Sequence, residues 1–188
     1  MVRTPLVAPG AYFARADAFP LQLAVGLAVV HWLGSLAVSL FWQATGEIAL
    51  DPLTLYALLQ ALEATLLYWV VPALVLYGVG FAVDAEGEPS EMLALAAWGL
   101  VPLLAGELVS NLFLYGLTAL EVDPAAVPVE PEVWLFVPLI LAACGWAAFV
   151  WRGGLRSGFG LDRSTATATA LSAAGVCAGL LLLPIAFA

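Results

Sequence analysis

Three ionisable side chains and an asparagine stand out from otherwise apolar stretches of this sequence. They are His31, Glu63 and Glu107, with Asn111 four residues after Glu107. Residues four apart share one face of a helix, so Glu107 and Asn111 could present a carboxylate and an amide oxygen together. An ionised group at the centre of a membrane helix costs about 2.5–3.5 kcal/mol, so such residues normally face the protein interior and find partners. The pattern is typical of a His/Glu relay for protons or a cation.

A structural role for the same side chains is the competing interpretation. In it, Glu63 and Glu107 are uncharged and hydrogen-bond to Ser, Tyr or backbone carbonyl groups, which specifies how the helices pack. Glu63 could also lie in the outer interfacial zone of the membrane. Two acids and one histidine without a motif are weak evidence for transport, so the sequence favours the structural interpretations. All three ionisable groups fall near mid-depth or toward the outer leaflet, where they could meet.

No established catalytic or cofactor signature is present. His31 is the only histidine, and Cys144 and Cys177 fall in different apolar stretches at apparently different depths, so no metal-ligand spacing is formed. The H-E-x-x-H, P-loop and G-x-S-x-G motifs are absent. We therefore expect a protein that is not an enzyme and that needs no metal or other cofactor, with both cysteines as small packing residues.

Five long apolar stretches must position these side chains. Hydrophobic residues make up 64 % of the chain, charged residues 10 %, and the mean hydropathy is +1.04. A bilayer core about 30 Å thick needs roughly 20 residues of apolar helix, and five segments reach that length. They run approximately from Pro20 to Trp42, Leu53 to Val83, Met92 to Leu120, Glu132 to Trp151 and Ser164 to Phe187. The sequence predicts an all-α integral membrane protein, a bundle of five transmembrane helices that forms one domain over residues 1–188.

The basic residues predict the orientation of this bundle. All five are arginines on one side of the threaded chain: Arg3, Arg15, Arg152, Arg156 and Arg163. Cytoplasmic loops gather Lys and Arg, so we predict a multi-pass cell-membrane protein with its N-terminus in the cytoplasm and its C-terminus outside. Residues 1–19 should lie on the cytoplasmic face as an interfacial segment. We expect Arg15, Arg152, Arg156 and Arg163 to lie near lipid headgroups.

The ends of the spans carry turn and cap chemistry. The connection from Arg152 to Arg163 contains four glycines and is expected to be a flexible loop. Asp162 or Ser164 should cap the fifth span, and Ser90 should cap the third. Internal prolines remove a backbone donor and should kink three of the helices; they are Pro72, Pro102 and Pro138.

The net charge and a motif of small residues indicate the environment and the partners of the protein. The net charge is −9 with no lysine, which is typical of a salt-loving organism whose acidic surface is screened by salt. Five basic residues are too few to track nucleic-acid phosphates, so we exclude that partner. Gly175 and Gly179 form a G-x-x-x-G that permits close approach of another helix, from the same chain or from a second copy. The expected partners are membrane lipids and either a second copy or another membrane protein.

Three short stretches give the chain a family resemblance. Pro9-Gly10-Ala11-Tyr12-Phe13 precedes the first span, Leu95 to Pro102 opens the third, and Trp151, Leu155, Leu161 and Ala166 lead into the fifth. With these the chain resembles prokaryotic members of the Yip family, five-span proteins named for interaction with Ypt/Rab GTPases.

The resemblance implies a bundle with the N-terminus inside and the C-terminus outside. In eukaryotic relatives the family is associated with vesicle traffic, membrane shaping and recruitment of small GTPases. Ala8-Pro9-Gly10 stands where those relatives have D-L-x-G-P, so GTPase binding and catalytic residues are not carried over. We expect a non-enzymatic, membrane-organising or partner-binding scaffold. The alternative is a small transporter or channel subunit that uses His31, Glu63 and Glu107.

Overall fold

The computed structural model describes residues 4–15, 19–44, 55–83, 87–120 and 132–186. All regular structure within them is helical. The α-helices are α1 Pro9–Phe13, α2 Leu21–Ala44, α3 Leu55–Ala82, α4 Pro89–Ala97, α5 Leu100–Ala119, α6 Val137–Ser157 and α7 Arg163–Ala186, and a π-helical turn, Glu132–Phe136, precedes α6.

Five helical stretches in the described residues are long and apolar enough to cross a membrane. The spans are α2, α3, the combined helices α4 and α5, then α6, and finally α7. This confirms the predicted all-α, five-span architecture. The first, second, third and fifth spans begin and end within three residues of the predicted bounds. We call the end of the bundle that carries the described arginines the arginine end, and the end where α2 stops and α3 starts the far end.

The fourth span is longer than predicted. It was expected to end at Trp151, but α6 continues to Ser157 and takes in Arg152 and Arg156. The prediction of a flexible loop from Arg152 was therefore wrong. The connection to α7 is short, and Gly160 within it has a φ of 68°, in the left-handed region that glycine adopts without steric cost.

Two glycines of that expected loop serve helix packing instead. Gly153 and Gly154 lie in the last turns of α6, where a methyl group on Gly153 would overlap Pro9 and one on Gly154 would overlap Leu95. Both α1 and α4 therefore approach the backbone of α6 closely, and neither contact would accommodate a larger residue.

The third span is broken into α4 and α5 at Trp98 and Gly99. Pro102 has no N–H for the carbonyl group of Trp98 four residues earlier, so the regular hydrogen-bond ladder cannot continue there. The N–H groups of Trp98 and Gly99 bond instead to carbonyls three residues earlier, at 3.2 and 2.9 Å. The other two prolines differ, because Pro72 lies inside α3 as expected while Pro138 occupies the first turn of α6, where proline is tolerated.

Glu88, and not Ser90, caps the third span. Pro89 occupies the first turn of α4, and the carboxylate of Glu91 accepts a hydrogen bond of 2.9 Å from the backbone N–H of Glu88. The prediction failed because the proline places the start of the helix before Ser90, whose hydroxyl group donates to Glu88 at 3.3 Å.

Asp162 caps the fifth span, as the sequence predicts. Its Oδ1 accepts hydrogen bonds from the backbone N–H groups of Ser164 at 2.8 Å and Thr165 at 3.2 Å. Hydrogen bonds from Ser164 and Thr165 hold the pKa of Asp162 well below its ordinary value, because they stabilise the charged carboxylate.

The densest packing lies between α6, α7, α3 and α4. Alanines on facing sides of α6 and α7 are buried, which brings the two backbones close together, as small residues do in membrane bundles. The indole ring of Trp151 and the ring of Phe13 from α1 fill the core toward the arginine end. The N-terminal segment is held by Trp146, whose Nε1 donates to the carbonyl oxygen of Leu6 at 3.0 Å.

The two cysteines are neighbours in this core. Cys144 on α6 and Cys177 on α7 interact with each other, and both residues are buried in the same core cluster. The prediction that they lie at different depths was wrong. Because α6 ends at Ser157, each cysteine lies about four turns from the arginine end of its helix, and the antiparallel helices bring them level.

Candidate functional site

A cavity of about 500 Å³ lies in the half of the bundle toward the far end. It is bounded by α2, α3, α5 and α6, with one contribution from α7. The polar residues that line it are His31, Ser35, Ser39, Gln60, Tyr68, Glu107, Ser110 and Asn111. The apolar remainder of the wall includes Leu103, Phe136, Ile140 and Leu181.

Hydrogen bonds between α2 and α5 form one side of the cavity. The hydroxyl group of Ser35 donates to Oε2 of Glu107 at 2.8 Å, and Nε1 of Trp42 donates to Oδ1 of Asn111 at 2.6 Å. The amide nitrogen of Asn111 donates to the backbone carbonyl of Glu107 at 2.7 Å. The other carboxyl oxygen of Glu107, Oε1, has no hydrogen-bond partner within the described parts of the chain. Oε1 of Glu107 is therefore an uncommitted acceptor in the cavity wall.

His31 forms the deep end of the cavity. Its Nδ1 lies 3.0 Å from the hydroxyl oxygen of Thr65 on α3, and its ring meets the edge of Tyr68 with the centroids 6.4 Å apart. Only 3 % of His31 is exposed. The imidazole ring thus joins α2 to α3 and is held in place by both contacts.

The cavity is closed toward the arginine end. Below His31, the small side chains of Ala24, Ala94 and Ala97 pack together, with Leu27 and Trp69 against them. Nε1 of Trp69 donates to a backbone carbonyl on α4 at 2.8 Å and is thereby satisfied. The described residues provide no polar continuation of the cavity through this layer.

The structure brings His31, Glu107 and Asn111 to one cavity and leaves Glu63 outside it. The Glu63 side chain is exposed on the outer side of α3, in a shallow depression among leucines and valines. Gln60, Ala64 and Tyr68 line the cavity at four-residue spacing, so Glu63 points about 100° away from their face.

Sequence reasoning missed several of the cavity residues. Ser35, Ser39, Gln60 and Tyr68 were not singled out, nor was Thr65, the partner of His31, although a usable signal exists on α2. His31, Ser35 and Ser39 recur every four residues and therefore mark one polar stripe on an otherwise apolar helix.

The remaining predicted residues lie away from the cavity. A side chain added at Gly175 or Gly179 would meet no atom within 4 Å, so these glycines do not pack against another described span. Their role in self-association stays a prediction. Arg15, Arg156 and Arg163 are exposed at the arginine end, and Arg152 is half-buried there. No group of three or more His, Cys, Asp or Glu side chains that could hold a metal occurs among the residues whose positions are described.

Five apolar spans around a cavity define a polytopic helical membrane protein. The family model described as Yip1 domain matches residues 4–184 of the chain. The chain therefore belongs to the Yip family, as its resemblance implied, and proteins of this family are generally not enzymes. No curated protein and no solved structure matches the chain.

Proposed function

We propose that the protein is a non-enzymatic, membrane-organising scaffold that holds a partner by inserting a hydrogen-bond donor of that partner into the cavity. The observation that carries this proposal is the uncommitted Oε1 of Glu107 in a cavity that is closed at one end. Glu107 is half-buried and lines the cavity, so a donor that reaches its Oε1 gains the free energy of one hydrogen bond, about 0.5–1.5 kcal/mol.

The cavity wall indicates the chemistry of the partner. Glu107 offers an acceptor, and the surrounding surface is mainly apolar, with Leu103, Ile140 and Leu181 among its residues. A hydroxyl, amide or amine group carried on an apolar body would satisfy both parts of this surface. Lipids and the helices of other membrane proteins both carry such groups, which suits a scaffold inside the bilayer.

Transport of protons or a cation is the second candidate function. The observation that favours it is that His31 and Glu107 line the same cavity. A transport route must reach both membrane surfaces, however, and the alanine layer formed by Ala24, Ala94 and Ala97 lies across that route toward the arginine end. Binding of a partner therefore requires fewer conformational changes of this structure than transport does.

Photo-crosslinking in native membranes tests the scaffold. A photoactivatable amino acid replaces Gln60, which lines the cavity and is exposed. We expect a discrete adduct whose yield falls at least about tenfold in Glu107→Gln, because the amide nitrogen replaces an acceptor with a donor. Glu63→Gln is the matched control, since it makes the same substitution at an acid on α3 that lies outside the cavity. An adduct that is insensitive to Glu107, or the lack of any adduct, contradicts the proposal.

Flux measurements in proteoliposomes distinguish the two candidates. For the scaffold, proton and alkali-cation fluxes through the wild type and Glu107→Gln should both equal those of protein-free vesicles. A flux that depends on Glu107 and is unaffected by Glu63→Gln would favour transport and count against the scaffold.

A further inference from the structure

Arg152 carries a buried charged donor that no described residue satisfies. Among the buried side-chain nitrogen and oxygen atoms of the described residues, Nε of Arg152 alone lacks a hydrogen-bond partner. Asp162 lies near it, but the Oδ1 of this acid is engaged in capping α7. Arg152 forms no ion pair within the described chain. A buried N–H donor without an acceptor costs about 1–3 kcal/mol, so an acceptor group that binds here would gain free energy.

A groove of about 250 Å³ beside Arg152 offers room for that acceptor. It lies between the N-terminal segment and α6, and Arg156 and Ser157 line it one turn further along. No acidic residue is among the described residues that line it. The described lining of the groove therefore combines two guanidinium groups and one hydroxyl group, which is a suitable setting for a phosphate group.

An apolar stripe leads from the middle of the membrane to this groove. Leu141, Gly145 and Phe149 follow one another at four-residue spacing on α6, and all three are exposed. Arg152 and Arg156 continue the same face at the arginine end of the helix. In a spanning helix such a surface contacts lipid acyl chains, and the headgroup of the same lipid lies where the helix leaves the apolar layer.

We propose that this groove binds the phosphate group of an anionic phospholipid, with Arg152 and Arg156 as its donors and an acyl chain along Leu141 and Phe149. The site is separate from the cavity and does not depend on the proposed scaffold function. It also differs from the general attraction of arginines to a membrane surface, because it distinguishes Arg152 and Arg156 from Arg163, which lies outside the groove.

Native mass spectrometry of the full chain in detergent tests the site. The protein is titrated with phosphatidylglycerol and, separately, with phosphatidylcholine that has the same acyl chains. We expect tighter binding of the anionic lipid to the wild type. Arg152→Gln and Arg156→Gln should each weaken that binding about tenfold or more, which is the usual effect of losing one hydrogen bond to a charged group. Arg163→Gln, the matched control, should bind phosphatidylglycerol as the wild type does.

Three results would overturn the proposal. Equal affinity for the two lipids would show that the negative charge of the lipid has no role. An equal loss of phosphatidylglycerol binding in Arg163→Gln would show that only the overall charge of the arginine end matters. Displacement of the lipid by millimolar inorganic phosphate would show that a free anion, and not a lipid, occupies the groove. Arg156 is exposed, so if Arg152→Gln fails to fold, Arg156→Gln decides the question alone.

Discussion

At the scale of single residues, the cap at Asp162 makes stability depend on pH in a defined direction. Its folded pKa lies below the ordinary value of 3.8, so its stabilisation is fully present above that value and is lost as pH falls through the folded pKa. We predict that Asp162→Ala lowers the melting temperature at pH 7 and that the difference from the wild type shrinks below about pH 4. Thermal unfolding in detergent between pH 7 and pH 3 measures this. A difference that grows toward low pH would contradict the role of the cap.

Thr65 should matter because it is the partner of a buried histidine. Thr65→Val keeps the shape of the side chain but leaves Nδ1 of His31 without its partner on α3. We predict a loss of about 1–2 kcal/mol in the free energy of unfolding, measured by denaturation in mixed micelles. Thr118→Val is the control, because the hydroxyl group of Thr118 is exposed and bonds only within its own helix. Similar losses in the two variants would argue against the interhelical contact.

The sequence alone identified some of the cavity residues but not their hydrogen-bond partners. His31, Glu107 and Asn111 stand out because each is polar in an apolar stretch, and the structure does bring them together. Their partners were not predicted, because Ser35 and Thr65 are common in membrane helices and only the rotation of each helix shows which ones face inward.

At the scale of helices, Gly99 is the residue that allows α4 and α5 to bend around Trp151. A Cβ atom on Gly99 would lie 2.6 Å from Cε2 of the indole ring, which is fully buried and cannot move aside. We predict that Gly99→Ala destabilises the protein by about 1–3 kcal/mol through overpacking. The measurement is the melting temperature in detergent.

Gly116→Ala is the matched control for that prediction. Gly116 lies in the same helix as the residues after the break, and a Cβ atom there would meet nothing within 4 Å. Alanine favours helix over glycine by about 1 kcal/mol, so this variant should be as stable as the wild type or more so. If Gly99→Ala were equally harmless, the indole ring would not be confined as described.

One misplaced helix end explains two wrong predictions. Arg152 was interpreted as the start of a loop because a charge after an apolar run usually marks the membrane surface. In the structure α6 continues past it to Ser157, because Gly153 and Gly154 allow α1 and α4 to pack there. The same error shifted Cys144 relative to Cys177, so their contact could not be predicted. Hydropathy gives the apolar length of a helix, but packing decides where the helix stops.

At the scale of the whole molecule, the distribution of arginines predicts the orientation in the membrane. Both native cysteines are buried, so a cysteine introduced at a surface position should be the main site of labelling. We predict that a membrane-impermeant maleimide added to intact cells labels Asp123→Cys, in the acidic connection before α6, and leaves Val83→Cys unlabelled. Val83 follows α3 at the arginine end and is exposed. The reverse labelling pattern would show that the N-terminus faces outward.

The number of spans and the order of the helices followed directly from composition, because the bilayer sets the length that each apolar segment must reach. The uneven packing of the bundle, which leaves a cavity in one half, could not be predicted from composition. Alanine-rich faces on α6 and α7 and a polar stripe on α2 are both visible in the sequence, but which of them meets a matching surface depends on three-dimensional pairing.

That uneven packing gives the two halves of the molecule different compressibilities. Pressure favours states of smaller volume, and the elimination of internal voids supplies much of the volume decrease when a protein opens. The void lies mainly between α2, α3 and α5, whereas α6 and α7 line it with only a few residues and pack against each other through their facing alanines. Hydrostatic pressure should therefore separate α2 from its neighbours first, and leave the paired helices α6 and α7 as the last ordered part of the chain.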